Sequence, residues 1–134
     1  MRHEEDEAVV ERLLKAKRIA IVGLSDNPAR PSYGVAAYLQ RHGYDIVPVN
    51  PRCKEVLGVP AAAALAAVQG PIDLVNVFRR SEQCAAVAAE AIAVGAKRIW
   101  LQLGIRSAEA RRLAQEAGID YVEDRCIKID HMMR

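Results

Sequence analysis

The residues that most constrain this chain run from Arg18 to Gly34, RIAIVGLSDNPARPSYG. Ile19, Ala20, Ile21 and Val22 form a short, unbroken apolar run. β-Branched residues in a run of that length fit a strand buried on both faces, as in a parallel sheet. Gly23 ends the run, and Pro28 and Pro31 keep the next residues from becoming helical. A helical pattern begins near Ser32 and Tyr33, with Val35, Ala36 and Leu39 on one face. The stretch reads as strand, small-residue loop and helix N-terminus. In an open α/β sheet that order is a place for phosphate, because unpaired backbone N–H groups and the helix dipole both favour an anion.

The rest of the chain alternates in the same way. A leading helix carries Val9, Val10, Leu13 and Leu14 on one face. The second helix ends near His42 and Gly43, and Ile46–Val49 is a second strand closed by Asn50 and Pro51. Residues 52–60 read as a loose segment, and Ala61–Val68 as a short helix ended by Gln69-Gly70-Pro71. Ile72–Val77 is a third strand. Ser81 is placed to cap a helix with Cys84, Val87, Ala88, Ala91 and Ile92 on its face. Lys97–Leu103 is a fourth strand; Ser107 caps a helix with Ala110, Leu113, Ala114 and Ala117, which Gly118 ends. Tyr121 and Val122 make a short fifth strand, and residues 125–134 form a tail. Alternation of this kind implies right-handed crossovers and a three-layer, doubly wound α/β fold around a mainly parallel, five-stranded sheet.

Composition narrows the partners. A length of 134 residues suits one domain, with 51% hydrophobic and 27% charged residues as in ordinary globular chains. One Trp and one Phe leave Val, Ile, Leu and Ala to build the core. A net charge of +2 is too small to argue for nucleic acid or an anionic membrane surface. No apolar run approaches the roughly 18 residues of a membrane span, and the acidic, amphipathic start MRHEEDEAVVERLL does not read as a secretory signal. Three cysteines make neither a zinc pattern nor a disulfide framework. The expectation is one cytoplasmic domain over residues 1–134.

Ligands of such sheets sit outside the carboxyl ends of the strands, at the switch point in strand order. That rule selects residues 23–34, 50–54, 78–80 and 102–106, all of which carry Arg or Lys. A dinucleotide fingerprint would read G-x-G-x-x-G with an acid about 20 residues later. Here the loop lacks the second glycine, and the second strand ends in Asn50-Pro51-Arg52-Cys53-Lys54. Basic residues in place of the acid suit a phosphorylated ribose, which leaves NADP and coenzyme A as ligands.

The blocks GLSDNPARPSYGVAAYLQRHGY, VNP, VFRR, WLQLG and DRCIKIDH, in that order, resemble the small stand-alone CoA-binding proteins. Their Rossmann-like domain is similar to the N-terminal domain of the succinyl-CoA synthetase alpha subunit. The resemblance implies a module that binds coenzyme A or an acyl-CoA without catalysing a reaction, with an unidentified protein partner open. It implies that Gly23, Leu24, Ser25, Asn27, Arg30, Pro31, Ser32, Tyr33 and Gly34 wrap the pyrophosphate and part of the nucleotide. Gly23 would let backbone approach the ligand, the Ser25 hydroxyl would donate, and N–H groups around Ser32 to Gly34 would meet phosphate oxygens. Asn50, Pro51, Arg52 and Lys54 would face the adenosine, with Arg52 or Lys54 on the 3′-phosphate. Phe78, Arg79 and Arg80 would flank the ligand, one arginine touching it and the other at the surface. Gln102 and Gly104 would border the site.

The remaining residues have plainer roles. Asn76 is expected to be a structural buried amide, Trp100 a sheet-to-helix packing residue, Cys53 a loop thiol and Cys84 a core residue. Cys126, flanked by Arg125 and Lys128, is read as structural, against a mixed disulfide with a thiol ligand. His131 has no acid–base partner near it in sequence. The competing readings are an NADP-binding oxidoreductase and a protein-interaction domain without ligand.

Overall fold

The computed structural model describes residues 2–134, with side chains from Asp6 onward. Five strands form one sheet: β1 (Arg18–Val22), β2 (Asp45–Val49), β5 (Leu74–Val77), β6 (Arg98–Leu101) and β7 (Asp120–Val122). Their order is β2-β1-β5-β6-β7 and every neighbouring pair is parallel. The chain leaves β1 for β2 on one side, then returns across β1 to place β5 on the other. That reversal opens a crevice at the carboxyl ends of β1 and β5.

Alternate side chains of each strand feed two separate cores. Ala20, Val22, Val49, Val75 and Val77 pack against α3 (Cys84–Ala93) and α4 (Ala108–Ala117). Ile19, Ile21, Ile46, Leu74 and Trp100 pack against α1 (Arg2–Leu13), α2 (Pro31–Arg41) and α5 (Ile127–Met132). The three-layer, doubly wound architecture expected from the alternation is the one observed. Among the described residues, no helix is long and apolar enough to cross a membrane.

Four local expectations need correction. Residues 61–68 form no α-helix: Ala62 bridges Val49 as an extra extended partner, and only Leu65–Ala67 make a tight helical turn. The Ala-rich composition favours helix, but the edge of β2 offers backbone partners that override it. Residues 55–60 are not loose; β3 (Glu55–Val56) and β4 (Val59–Pro60) pair as a hairpin through Leu57 and Gly58, both at positive φ. Ser81 does not cap α3. Its Oγ accepts the Arg106 N–H at 3.1 Å instead, and a tight turn over Ser81–Gln83 leads into the helix. The tail is helical over α5, pinned where Arg125 bonds both Asp130 oxygens, at 2.6 and 2.9 Å, and Glu7 of α1 at 2.8 Å.

Buried polar groups meet most of their needs along the same face. The Trp100 indole donates to the Arg125 carbonyl at 2.7 Å. Asn76 is fully buried and its Nδ2 donates to Gln102 Oε1 at 3.2 Å, which also accepts the Ile127 N–H at 3.0 Å. His131 gains the partner its sequence neighbours did not supply: the Tyr38 hydroxyl lies 2.6 Å from its Nδ1, joining α5 to α2. Burial, and then the nearby His42, push the His131 pKa below its ordinary 6.5. The fold therefore favours the neutral ring. Stability is expected to hold above pH 6.5 and to decline as pH falls through that value toward the lower folded-state pKa. Urea midpoints measured from about pH 8 to about pH 5 should fall more steeply for the wild type than for His131→Asn.

Candidate functional site

The crevice is built by three loops that leave β1, β2 and β5 side by side. Backbone bonds hold their starts together: the Gly23 N–H donates to Val49 O at 2.9 Å and the Phe78 N–H to Val22 O at 2.8 Å. Gly23 sits at φ +87°, and a Cβ there would lie 2.7 Å from the Phe78 carbonyl oxygen. Its missing side chain is therefore required by the protein's own backbone. The Leu24 side chain turns inward and is fully buried, which swings the following residues over the carboxyl ends of the strands.

Past Leu24 the loop partly satisfies itself. Ser32 Oγ accepts the Ser25 N–H, Ser25 Oγ accepts the Asn27 N–H, and Asn27 Oδ1 accepts the Ala29 N–H, all within 3.0 Å. The Arg30 and Tyr33 N–H groups also have backbone acceptors. Among the described residues, the N–H groups of Leu24, Asp26 and Ser32 have no protein acceptor. Of the N–H groups expected to meet phosphate, that of Ser32 is open, whereas that of Tyr33 is taken by the Arg30 carbonyl at 3.1 Å. The start of α2 is also bare: Arg30 at its N-cap supplies no side-chain bond, Pro31 follows, and no acid stands in the first turn. By contrast α4 has the Ser107 hydroxyl on the Ala110 N–H, as expected, and Glu109 in its first turn.

Between these loops lies a cavity of about 690 Å³. Gly23, Ser25, Asp26, Arg30, Pro31 and Ser32 form one wall; residues 50–53 form the second; Phe78, Arg79, Arg80 and Gln83 form the third. Four arginines converge on this space against one carboxylate, Asp26. Elsewhere Arg12, Arg18, Arg106, Arg111, Arg112, Arg125 and Arg134 each meet a carboxylate. Among the described residues, Arg30, Arg52, Arg79 and Arg80 at the cavity meet none, as do Arg41 and Arg98 away from it. Unpaired guanidiniums beside an uncapped helix start have the chemistry to hold a multiply charged phosphate compound.

A family model described as the CoA binding domain matches residues 17–132. The chain belongs to the CoA-binding domain family. It is 45% identical over 131 residues to the protein YneT of Bacillus subtilis (strain 168), covering 98% of this chain and 97% of that one. A solved protein from Pyrococcus horikoshii OT3 superposes with a TM-score of 0.90 at 37% identity, over 96% of this chain and 90% of that one. A solved Thermus thermophilus protein, cell-free ID.343, gives 0.87 at 36% identity, over 99% and 98%.

Within this CoA-binding fold, the residues expected at the site divide into three groups. Gly23, Ser25, Arg30, Pro31, Ser32, Asn50, Pro51, Arg52, Phe78, Arg79 and Arg80 line the cavity. Both Arg79 and Arg80 do so, because the strand ends at Val77 and the chain turns before strand alternation can send them to opposite faces. Leu24, Asn27, Tyr33, Gly34 and Lys54 lie on the flanking segments without lining it. Gln102 and Gly104 are elsewhere: Gln102 turns under α5, and the Gly104 N–H donates to Asp124 Oδ1 at 2.7 Å. Asp26, Cys53 and Gln83 are lining residues that the sequence reading omitted. Position alone pointed to the first two, which sit inside segments already selected. Cys126 does not line the cavity, and carboxylates hold its neighbour Arg125. Gly23→Ala is expected to destabilise the fold by about 2 kcal/mol, from the positive φ and the contact with Phe78 O together. Chemical denaturation with an unchanged m-value would check it.

Proposed function

We propose that this chain binds coenzyme A, or an acyl-CoA, in the switch-point cavity and acts as a non-catalytic carrier, sensor or regulatory module. The observation that carries the reading is the set of four arginines without ion-pair partners around an uncapped helix start. A CoA molecule brings a pyrophosphate and a third phosphate on its ribose. The Arg30 and α2 wall suits the pyrophosphate, and Arg52, at the end of β2, suits the ribose phosphate. Lys54 stands outside the cavity lining, so of the two residues considered for the third phosphate, Arg52 is the better placed.

Holding rather than transforming the ligand fits the lining chemistry. Among the described residues, its side chains include one carboxylate and one thiol, and no histidine for proton transfer. Two strongly perturbed groups stand outside the lining: burial pushes the Cys84 thiol, which donates to the Arg80 carbonyl at 3.4 Å behind the third wall, up to about 11, and burial with Glu123 raises the Tyr121 hydroxyl. Both changes keep the groups protonated and unreactive.

Titration calorimetry with CoA, dephospho-CoA and NADP tests the proposal. CoA is expected to bind, and to lose about tenfold in affinity without its 3′-phosphate. Arg52→Ala should erode CoA binding by about tenfold and dephospho-CoA binding far less, while Lys54→Ala leaves both within about twofold. Equal losses for the two ligands in Arg52→Ala would remove Arg52 from the third phosphate. Preference for NADP would favour an oxidoreductase, and silence toward all three an interaction domain.

A further inference from the structure

The peptide unit between Leu24 and Ser25 is held at both ends by side chains from two different elements. Its carbonyl oxygen accepts Asn50 Nδ2 at 3.0 Å, from the end of β2. Its N–H, which belongs to Ser25, donates to Ser32 Oγ at 3.0 Å, from the first turn of α2. In a trans peptide these two groups point in opposite directions, so Asn50 and Ser32 grip one plane from opposite sides. Neither side chain is loosely placed. Ser32 is only 5% exposed, and Asn50 is fixed in turn by its Oδ1, which accepts the Arg52 N–H at 2.9 Å.

The neighbours of this peptide give the grip its consequence. One peptide upstream is Gly23 at φ +87°, a residue whose backbone has the freedom to let the Gly23–Leu24 peptide, which carries the Leu24 N–H, rotate. The peptides on either side carry the N–H groups of Leu24 and Asp26, two of the three loop donors without a protein acceptor. We infer that Asn50 and Ser32 are positioning residues: they clamp the Leu24–Ser25 peptide so that the flanking N–H donors stay preorganised for the anionic ligand. The inference rests on the CoA reading for the identity of that ligand. It gives Asn50 a role through the loop in place of direct contact with the adenosine. Preorganisation of this sort raises affinity by removing the ordering cost at binding.

Two readouts test the clamp. In the unliganded protein, amide hydrogen exchange of Ser25 should be slow. It should speed up by about tenfold or more in Asn50→Ala and in Ser32→Ala, with Ser32→Thr restoring protection through its retained hydroxyl. Asn50→Asp keeps the acceptor for the Arg52 N–H but loses the donor to Leu24, so it should expose Ser25 as Asn50→Ala does. In calorimetry, Ser32→Ala should weaken CoA and dephospho-CoA by the same factor, about tenfold, since both carry the pyrophosphate, while Asn50→Ala, which also frees the Arg52 N–H, should weaken dephospho-CoA about tenfold and CoA at least as much. The double variant should fall no more than about twofold below the weaker single, because both side chains act on one peptide. Unchanged Ser25 exchange, multiplying losses in the double variant, or a loss confined to CoA would each overturn the clamp. Absence of CoA binding by the wild-type chain would instead overturn the ligand reading, on a different sample and by a different signal.

Discussion

The close passage of Gly23 over the carbonyl of Phe78 is the contact on which the site depends. It joins the loop after β1 to the loop after β5 at the one place where the strand order reverses. A side chain at residue 23 would force the two loops apart and open the wall that Arg79 and Arg80 share with Ser25 and Arg30. The usual account of a glycine beside phosphate is that a ligand needs room. Here the room is already taken by protein, and the tight join is what sets the width of the cavity.

Charge is distributed unevenly for the same reason. On the far faces and edges most guanidiniums find carboxylates, Arg41 and Arg98 excepted, as in the Arg125 link to Asp130 and Glu7 that fastens α5 against α1. Around the cavity they do not, and the helix end that shares the space lacks both a cap and an acid. Bringing four like charges together opposes folding through mutual repulsion, while their exposure to water keeps that cost modest. A bound polyanion would relieve the repulsion and satisfy the open N–H groups at once. The site is thus the region where local stability rules are broken in a direction that a phosphate compound reverses.

How much of this was legible in the sequence depended on whether the signal was local. The apolar runs, the glycine stops and the Ser107 cap each lie within a few residues of the structure they dictate, and they appear where expected. The segments at the site were legible too, because the rule that ligands gather at strand ends turns a strand list into a map. What escaped was set by partners far along the chain. Ser81 looks like a cap for α3 but is taken by Arg106, 25 residues away. Residues 61–68 look helical but pair with the exposed edge of β2. Gln102 follows a strand, the position at which that rule expects a site residue, yet the Ile127 N–H, also 25 residues on, draws it beneath α5.

That displacement of Gln102 carries a structural consequence. The first N–H of a helix has no partner within its own helix, and α5, only six residues long, has little internal bonding to offset such a loss. Gln102 Oε1 supplies the partner from inside the sheet layer, and Asn76 on the central strand supports it from behind. The ends of β5 and β6 therefore divide between two tasks. Main chain and arginines just beyond β5 turn toward the cavity, whereas side chains on its helix-facing surface reach back to hold α5 in place. Because α5 in turn touches α2 through Tyr38 and His131, the helix whose bare N-terminus faces the cavity is braced at its opposite end by a segment that never reaches it.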